Sequence, residues 1–208
     1  MLRCVVLTIL LSASLTACGG GGVPEPKPTQ TLAPATSAAE IPDGVTPTGP
    51  GTALAYDDSA TLVWQPAADL TGVLEVRVQG VQERRQSVFD GWLRDDTMTA
   101  TRPYFVTVEL TNAGEDDLAG LAVPLYLRDD RGRLGAPWTL GGDFTPCQSG
   151  PLPSPFDAAA TTEMCLVYLV PDGARIEDMV FEPTEGYDPI TWTGDVSGPP
   201  KVRSRDKR

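Results

Sequence analysis

Four cysteines, four tryptophans and a set of acidic doublets are the side chains of this 208-residue sequence with the means to do chemistry. Histidine is absent. That removes imidazole general bases, Ser-His-Asp and Cys-His nucleophile systems and every His-ligated metal site. The acids cluster as Asp57-Asp58, Asp95-Asp96, Glu115-Asp116-Asp117 and Asp129-Asp130. Two carboxylates held about 5–10 Å apart hydrolyse a glycosidic bond, but nothing in this spacing fixes such a distance. Carboxylate oxygens also suit Ca²⁺, yet no D-x-D-x-D-G loop occurs. Asp favours turn positions, and solvated turns are the plainer reading. No catalytic residue, metal or cofactor is therefore assigned. The formal charge of −12 argues against a nucleic-acid surface.

The other chemistry lies near the start. Arg3 precedes an apolar run from Cys4 to Leu15, too short to span a bilayer comfortably, and the pattern reads as an export signal. Leu15-Thr16-Ala17-Cys18 closes it. This resembles the bacterial lipobox, which implies a diacylglyceryl group on the Cys18 thiol and cleavage before it. The competing reading is an ordinary secretory signal with a coincidental Cys. Charge, apolar length, small residues and the spacer that follows all favour the lipobox. Two acyl chains on one residue give stable attachment, each buried CH₂ contributing about 0.8 kcal/mol. The expected location is the extracytoplasmic face of a cell membrane.

With Cys4 removed and Cys18 acylated, Cys147 and Cys165 remain as a pair in an oxidising compartment. A structural disulfide closing that loop contributes about 3 kcal/mol. The alternative, a redox or metal pair, lacks further ligands.

These residues need elements to position them. Gly19 to Gly22 and then seven prolines up to Pro50 form a spacer with no hydrophobic period. Its 32 residues reach roughly 100 Å if extended as polyproline II. From Gly51 onward the apolar residues alternate, the period-2 signature of half-buried strands. Leu74, Val76 and Val78 alternate with Glu75, Arg77 and Gln79; Tyr104, Val106, Val108 and Leu110 mark a second run. Leu121 to Leu127 form a third, and Pro124 inside it predicts an edge strand. Met164 to Val170 is apolar on both faces, which predicts a central strand. Shorter strands are expected at 61–64, 176–181 and 189–193, and a helical turn or two between Asp157 and Met164. Asn112 to Asp117, Asp129 to Gly132 and Pro171 to Gly173 are turn signals. Seven or eight short strands predict an all-β, two-sheet antiparallel sandwich. The expected organisation is a signal peptide at 1–17, an anchored Gly/Pro-rich linker at 18–50, a β-sandwich at 51–198 and a basic disordered tail at 199–208.

Tyr104 to Gly114, Leu125 to Gly132, Cys165 to Pro171 and Pro189 to Trp192 resemble, in that order, the strand and turn motifs of secreted immunoglobulin-like lipoprotein domains. That family has no assigned function. The resemblance spans roughly residues 74–193 and implies an immunoglobulin-like sandwich with no catalytic residues. The stretch from Gly141 to Pro155 departs from the simplest members.

Trp64 and Trp192 sit in strand patterns and read as core, while Trp92 and Trp138 lie near loops and are candidate contacts. Residues 18–198 hold 10 basic and 27 acidic side chains, whereas 199–208 hold Lys201, Arg203, Arg205, Lys207 and Arg208 against Asp206. A solvated terminus is the plain reading of that tail; contact with anionic lipid or wall polymer is the other. Three classes of function stand: an envelope-tethered module that binds a protein or glycan, an accessory envelope lipoprotein without a ligand, and, weakest, a hydrolase using acidic residues.

Overall fold

In the computed structural model the described residues are 39–92, 96–140 and 144–199. They form ten strands: β1 (Ala53–Ala55), β2 (Ser59–Ala67), β3 (Leu70–Glu83), β4 (Thr101–Asn112), β5 (Tyr126–Asp129), β6 (Leu134–Gly135), β7 (Thr161–Pro171), β8 (Ile176–Phe181), β9 (Ile190–Thr193) and β10 (Val196–Ser197). A 3-10 turn at Gln86–Phe89 and a four-residue helix α1 (Asp96–Thr99) lie between β3 and β4.

The strands make two packed sheets. One runs β1-β9-β8-β5-β6; the other runs β10-β3-β4-β7, with β2 also paired to β3. β4 occupies one side of β3, so β2 and β10 share the other, along Leu70–Arg77 and Val81–Gln82 respectively. The chain passes from β4 to β5 and from β7 to β8 between sheets, while β4 pairs β7 and β5 pairs β8. Strands B, C, E and F of an immunoglobulin sandwich are related in this way. β3-β4-β7 then stands as A-B-E, and β9-β8-β5-β6 as G-F-C with one added strand. The fold is an all-β, immunoglobulin-like sandwich.

Alternation explains the core. Leu74, Val76 and Val78 of β3 point inward with Val106, Val108 and Leu110 of β4 and Leu166, Tyr168 and Val170 of β7. Met179, Phe181, Ile190 and Trp192 meet them from the facing sheet. The β3–β4 register shifts between Val78 and Gly80. That bulge changes the parity of the strand, so the next inward residue is Val81, three positions on. Trp64 pairs opposite Gly72, and a Cβ at Gly72 would stand 2.5 Å from the indole. The ring lies on β3 only because that position has no side chain.

Several expectations change. The segment 121–125 is not strand: Pro124 offers no N–H. Leu121 instead bonds back to Leu118, and its carbonyl accepts from Leu152 N–H at 2.8 Å. β5 therefore starts at Tyr126, and it lies between β8 and β6 rather than at an edge. No helical turn precedes β7; Ala160 N–H closes on Asp157, and the strand begins at Thr161. β1 precedes the expected first strand. Thr48 bonds to Thr61 in both directions, N–H to carbonyl and N–H to hydroxyl, so residues before 51 also engage β2.

The largest correction concerns β7, which is an edge strand with only β4 as its full partner. Its two-faced apolarity has another cause. The outward face of its C-terminal half, with Val167 and Phe105, is covered by a second cluster of Phe89, Met98, Phe144 and Cys147. Apolar residues on both faces report that both faces are covered, whatever the strand's place in the sheet.

Candidate functional site

Of the residues singled out in the sequence, the edge of β7 brings together Cys147, Cys165 and Trp138. At Val167 the edge is closed. Trp138 N–H donates to the Val167 carbonyl at 2.7 Å, and Val167 N–H donates to Ser149 Oγ at 2.9 Å. The Ser149 hydroxyl then donates to the Trp138 carbonyl at 2.5 Å. One serine thus stands where the carbonyl of a neighbouring strand would be. This satisfies backbone groups that an edge otherwise exposes.

Cys147 and Cys165 form the disulfide expected of them, with Cα atoms 5.2 Å apart. It does not bridge the two sheets through the core, as the antibody-domain disulfide does. It staples the 144–149 segment to the outward face of β7, beside the Phe144 cluster. Phe144 stacks on Phe89 at 5.2 Å and meets Trp92 edge-on at 5.1 Å.

The two candidate tryptophans differ. Trp92 is half-buried and packs on the second cluster. Trp138 is 39% exposed, while its backbone is fixed on Val167. Trp64 and Trp192 are core residues, and the Trp192 indole N–H donates to the Asp58 carbonyl at 3.1 Å.

Upstream of Val167 a groove of about 560 Å³ runs between Thr162–Cys165 and a wall that includes Pro146, Gln148, Pro151 and Pro153. Sheet register places Arg77, Glu109 and Glu163 in one row across β3, β4 and β7. Arg77 bonds Glu109 at 2.7 Å, and Glu163 ends the row, exposed.

Of the acidic doublets, Asp95 lies outside the described residues, and Asp58, Asp117, Asp129 and Asp130 serve turns. Asp58 accepts from Ala55 N–H, Asp117 from Ala119 and Phe156 N–H, and Asp130 from Arg175 N–H. Asp129 Oδ1 accepts from Arg131 and Arg133 N–H, and its other oxygen takes the Arg133 guanidinium. Burial works to raise the Asp129 carboxyl, but these donors outweigh it and hold the group below the ordinary Asp range. Asp178 differs. Burial dominates there and raises it, although Arg128 bonds both its oxygens and pulls the other way. Burial, then the negative field of Asp178, pushes the Tyr56 phenol up to about 12. Among the described residues no group of three or more Cys, Asp or Glu is placed to hold a metal ion, and no helix is long and apolar enough to cross a membrane.

Leu15, Thr16, Ala17 and Cys18 lie outside the described residues, as do Lys201 to Arg208. Ser149 and Glu163 were not singled out in the sequence. Ser149-Gly150-Pro151 reads locally as a turn, and a single Glu in a strand carries no signal until its register is known. Comparisons with family models, with curated proteins and with solved structures return no match to this chain.

Proposed function

We propose that the chain is a lipid-anchored envelope protein whose immunoglobulin-like domain is an interaction module for an envelope protein or glycan. The observation that carries this reading is Trp138. A large aromatic side chain presents part of its surface to solvent, 39% exposed, while its backbone is locked to β7 through Val167 and Ser149. An exposed aromatic on a rigid mount gives contact area with little ordering entropy to lose on binding. The linker composition supports a domain held away from the membrane, and the lipobox pattern supports the anchor at Cys18.

Two measurements test the reading separately. Cys18→Ala is expected to abolish uptake of labelled fatty acid and to shift the protein from the membrane to the soluble fraction. Equal labelling of both forms removes the anchor. Trp138→Ala is expected to release the domain from isolated envelope fractions with its melting curve unchanged. Retention equal to that of the unaltered protein removes the module.

A further inference from the structure

We propose that β7, from Thr161 to Cys165, is a strand-acceptor edge, and that its occupant is the basic segment Lys201–Lys207 of a second copy of this chain. This goes beyond the interaction-module reading and does not depend on it, because Trp138 takes no part.

The acceptor follows from strand geometry. Both polar backbone groups of Val167 point away from β4, since Trp138 and Ser149 take them. The β4–β7 register runs without a shift from Thr101↔Pro171 to Thr111↔Thr161. Alternation then turns the N–H and C=O of Cys165, Glu163 and Thr161 outward as well. Among the described residues, those groups meet only the Thr162 hydroxyl, 3.5 Å from the Glu163 carbonyl, too long for a strong bond. The facing wall offers Pro151 and Pro153, which have no N–H to donate. The groove between is open to an extended backbone, and strand addition to a free sheet edge is a recurring mode of peptide recognition.

Charge selects the occupant. The row Arg77–Glu109–Glu163 has one cation for two carboxylates, and Arg77 is bonded to Glu109. A strand added beyond β7 meets Glu163 directly across, where an opposite charge stabilises and a like charge destabilises. Two β7 edges paired antiparallel about Glu163 would set carboxylate against carboxylate, so the edge rejects its own twin. The sequence Lys201-Val202-Arg203-Ser204-Arg205-Asp206-Lys207 puts a base at every second position. In a strand, those four side chains share one face.

Reach assigns the segment to another molecule. β10 leaves the sheet beside Val81 and Gln82, on the edge opposite β7. A position beyond β7 is four strand spacings away, roughly 19 Å in a straight line. Much of the outward face between is occupied by the Phe89–Phe144 cluster. Three residues, 198–200, extend at most about 11 Å. The same molecule's segment would spend Lys201 and Arg203 on even a straight crossing, whereas a second copy's segment arrives with all four basic positions. Donor and acceptor are different surfaces, so the contact is heterologous and propagates from one copy to the next.

The test is sedimentation of the full chain carrying Cys18→Ala, which removes the acylation position, with hydrogen exchange read at the Glu163 and Cys165 amides. Self-association is expected to strengthen with concentration, weaken with salt and slow exchange at both amides. Glu163→Lys is expected to weaken association about tenfold through like-charge contact, with an unchanged melting curve. Adding Arg203→Glu and Arg205→Glu to Glu163→Lys is expected to restore it. Thr161→Pro keeps Glu163 but removes one outward N–H, and is expected to weaken association as well. The proposal is overturned if the chain stays monomeric with both amides exchanging freely, or if association ignores Glu163→Lys. A foreign alternating Lys/Arg peptide that protects both amides, when the chain's own tail does not, overturns the assignment of the occupant.

Discussion

The side-chain amide of Asn112 donates to the carbonyl of Phe156 at 2.8 Å, joining positions 44 residues apart. The same nitrogen donates to the Asp116 carbonyl at 2.8 Å, and the side-chain oxygen accepts from Gly114 N–H at 3.0 Å. Asn112 is fully buried, so one carboxamide closes the turn after β4 and pins the approach to β7.

Asn112→Ala removes three hydrogen bonds at once: those to the Asp116 carbonyl and from Gly114 N–H, and that to the Phe156 carbonyl, which keeps Leu118 N–H as a donor. Each such bond contributes about 0.5–1.5 kcal/mol net. A loss of about 3 kcal/mol in urea unfolding is expected, against little change for an exposed residue of the same turn such as Glu115. Equal effects at the two positions would remove Asn112 from its role as a tie.

Gly72→Ala sets a methyl against the Trp64 indole, 2.5 Å from its ring. The ring must move, and overpacking of this kind costs about 1–3 kcal/mol. Trp64 is 8% exposed, so the variant should also shift tryptophan emission to the red. Unchanged stability and emission would show that the ring does not lie on β3.

Reduction of Cys147–Cys165 frees a segment whose other anchors are the Phe144 ring contacts and the Ser149 bonds. A loss of about 3 kcal/mol is expected from loop entropy. Double replacement by Ser should match it, while Cys18→Ala should leave domain stability alone. Non-reducing peptide mapping gives the direct check, and two free thiols there would contradict the pairing.

Asp129 and Asp178 should titrate on opposite sides of the ordinary Asp value. Asp129 is depressed, so its stabilisation is present at neutral pH. It is lost as pH falls from the unfolded value through the folded one. Asp178 is raised, so the folded state holds that proton more tightly, and protonation favours folding as pH falls through its folded value. Carboxyl carbon shifts followed against pH separate the two. A common midpoint would contradict both assignments.

Much of the sandwich was legible in the chain because its signals are local. The inward faces of β3, β4 and β7 follow from alternation, and a two-residue period needs no knowledge of neighbours. The turns at Asn112–Asp117 and Asp129–Gly132 follow from Asn, Asp and Gly chemistry within a few residues. The pairing of Cys147 with Cys165 follows from the expectation of an exported chain, in which two of the four cysteines are left to pair. Each of these properties is set by residues close in sequence or by composition.

What the tertiary structure alone decided is which strand lies beside which, and what covers each outer face. Apolar residues on both sides of β7 mark a covered strand in any position, so the sequence of β7 reads alike at a centre and at an edge. Ser149 closes that edge only because eighteen residues later Val167 turns its N–H toward it. Glu163 ends a charge row only because register sets it beside Glu109, and Glu109 beside Arg77. Side-chain rows across a sheet join residues 32 to 86 positions apart, and no local pattern encodes a partner at that distance. The period places a residue on a face; only the packed sheets place it in a row.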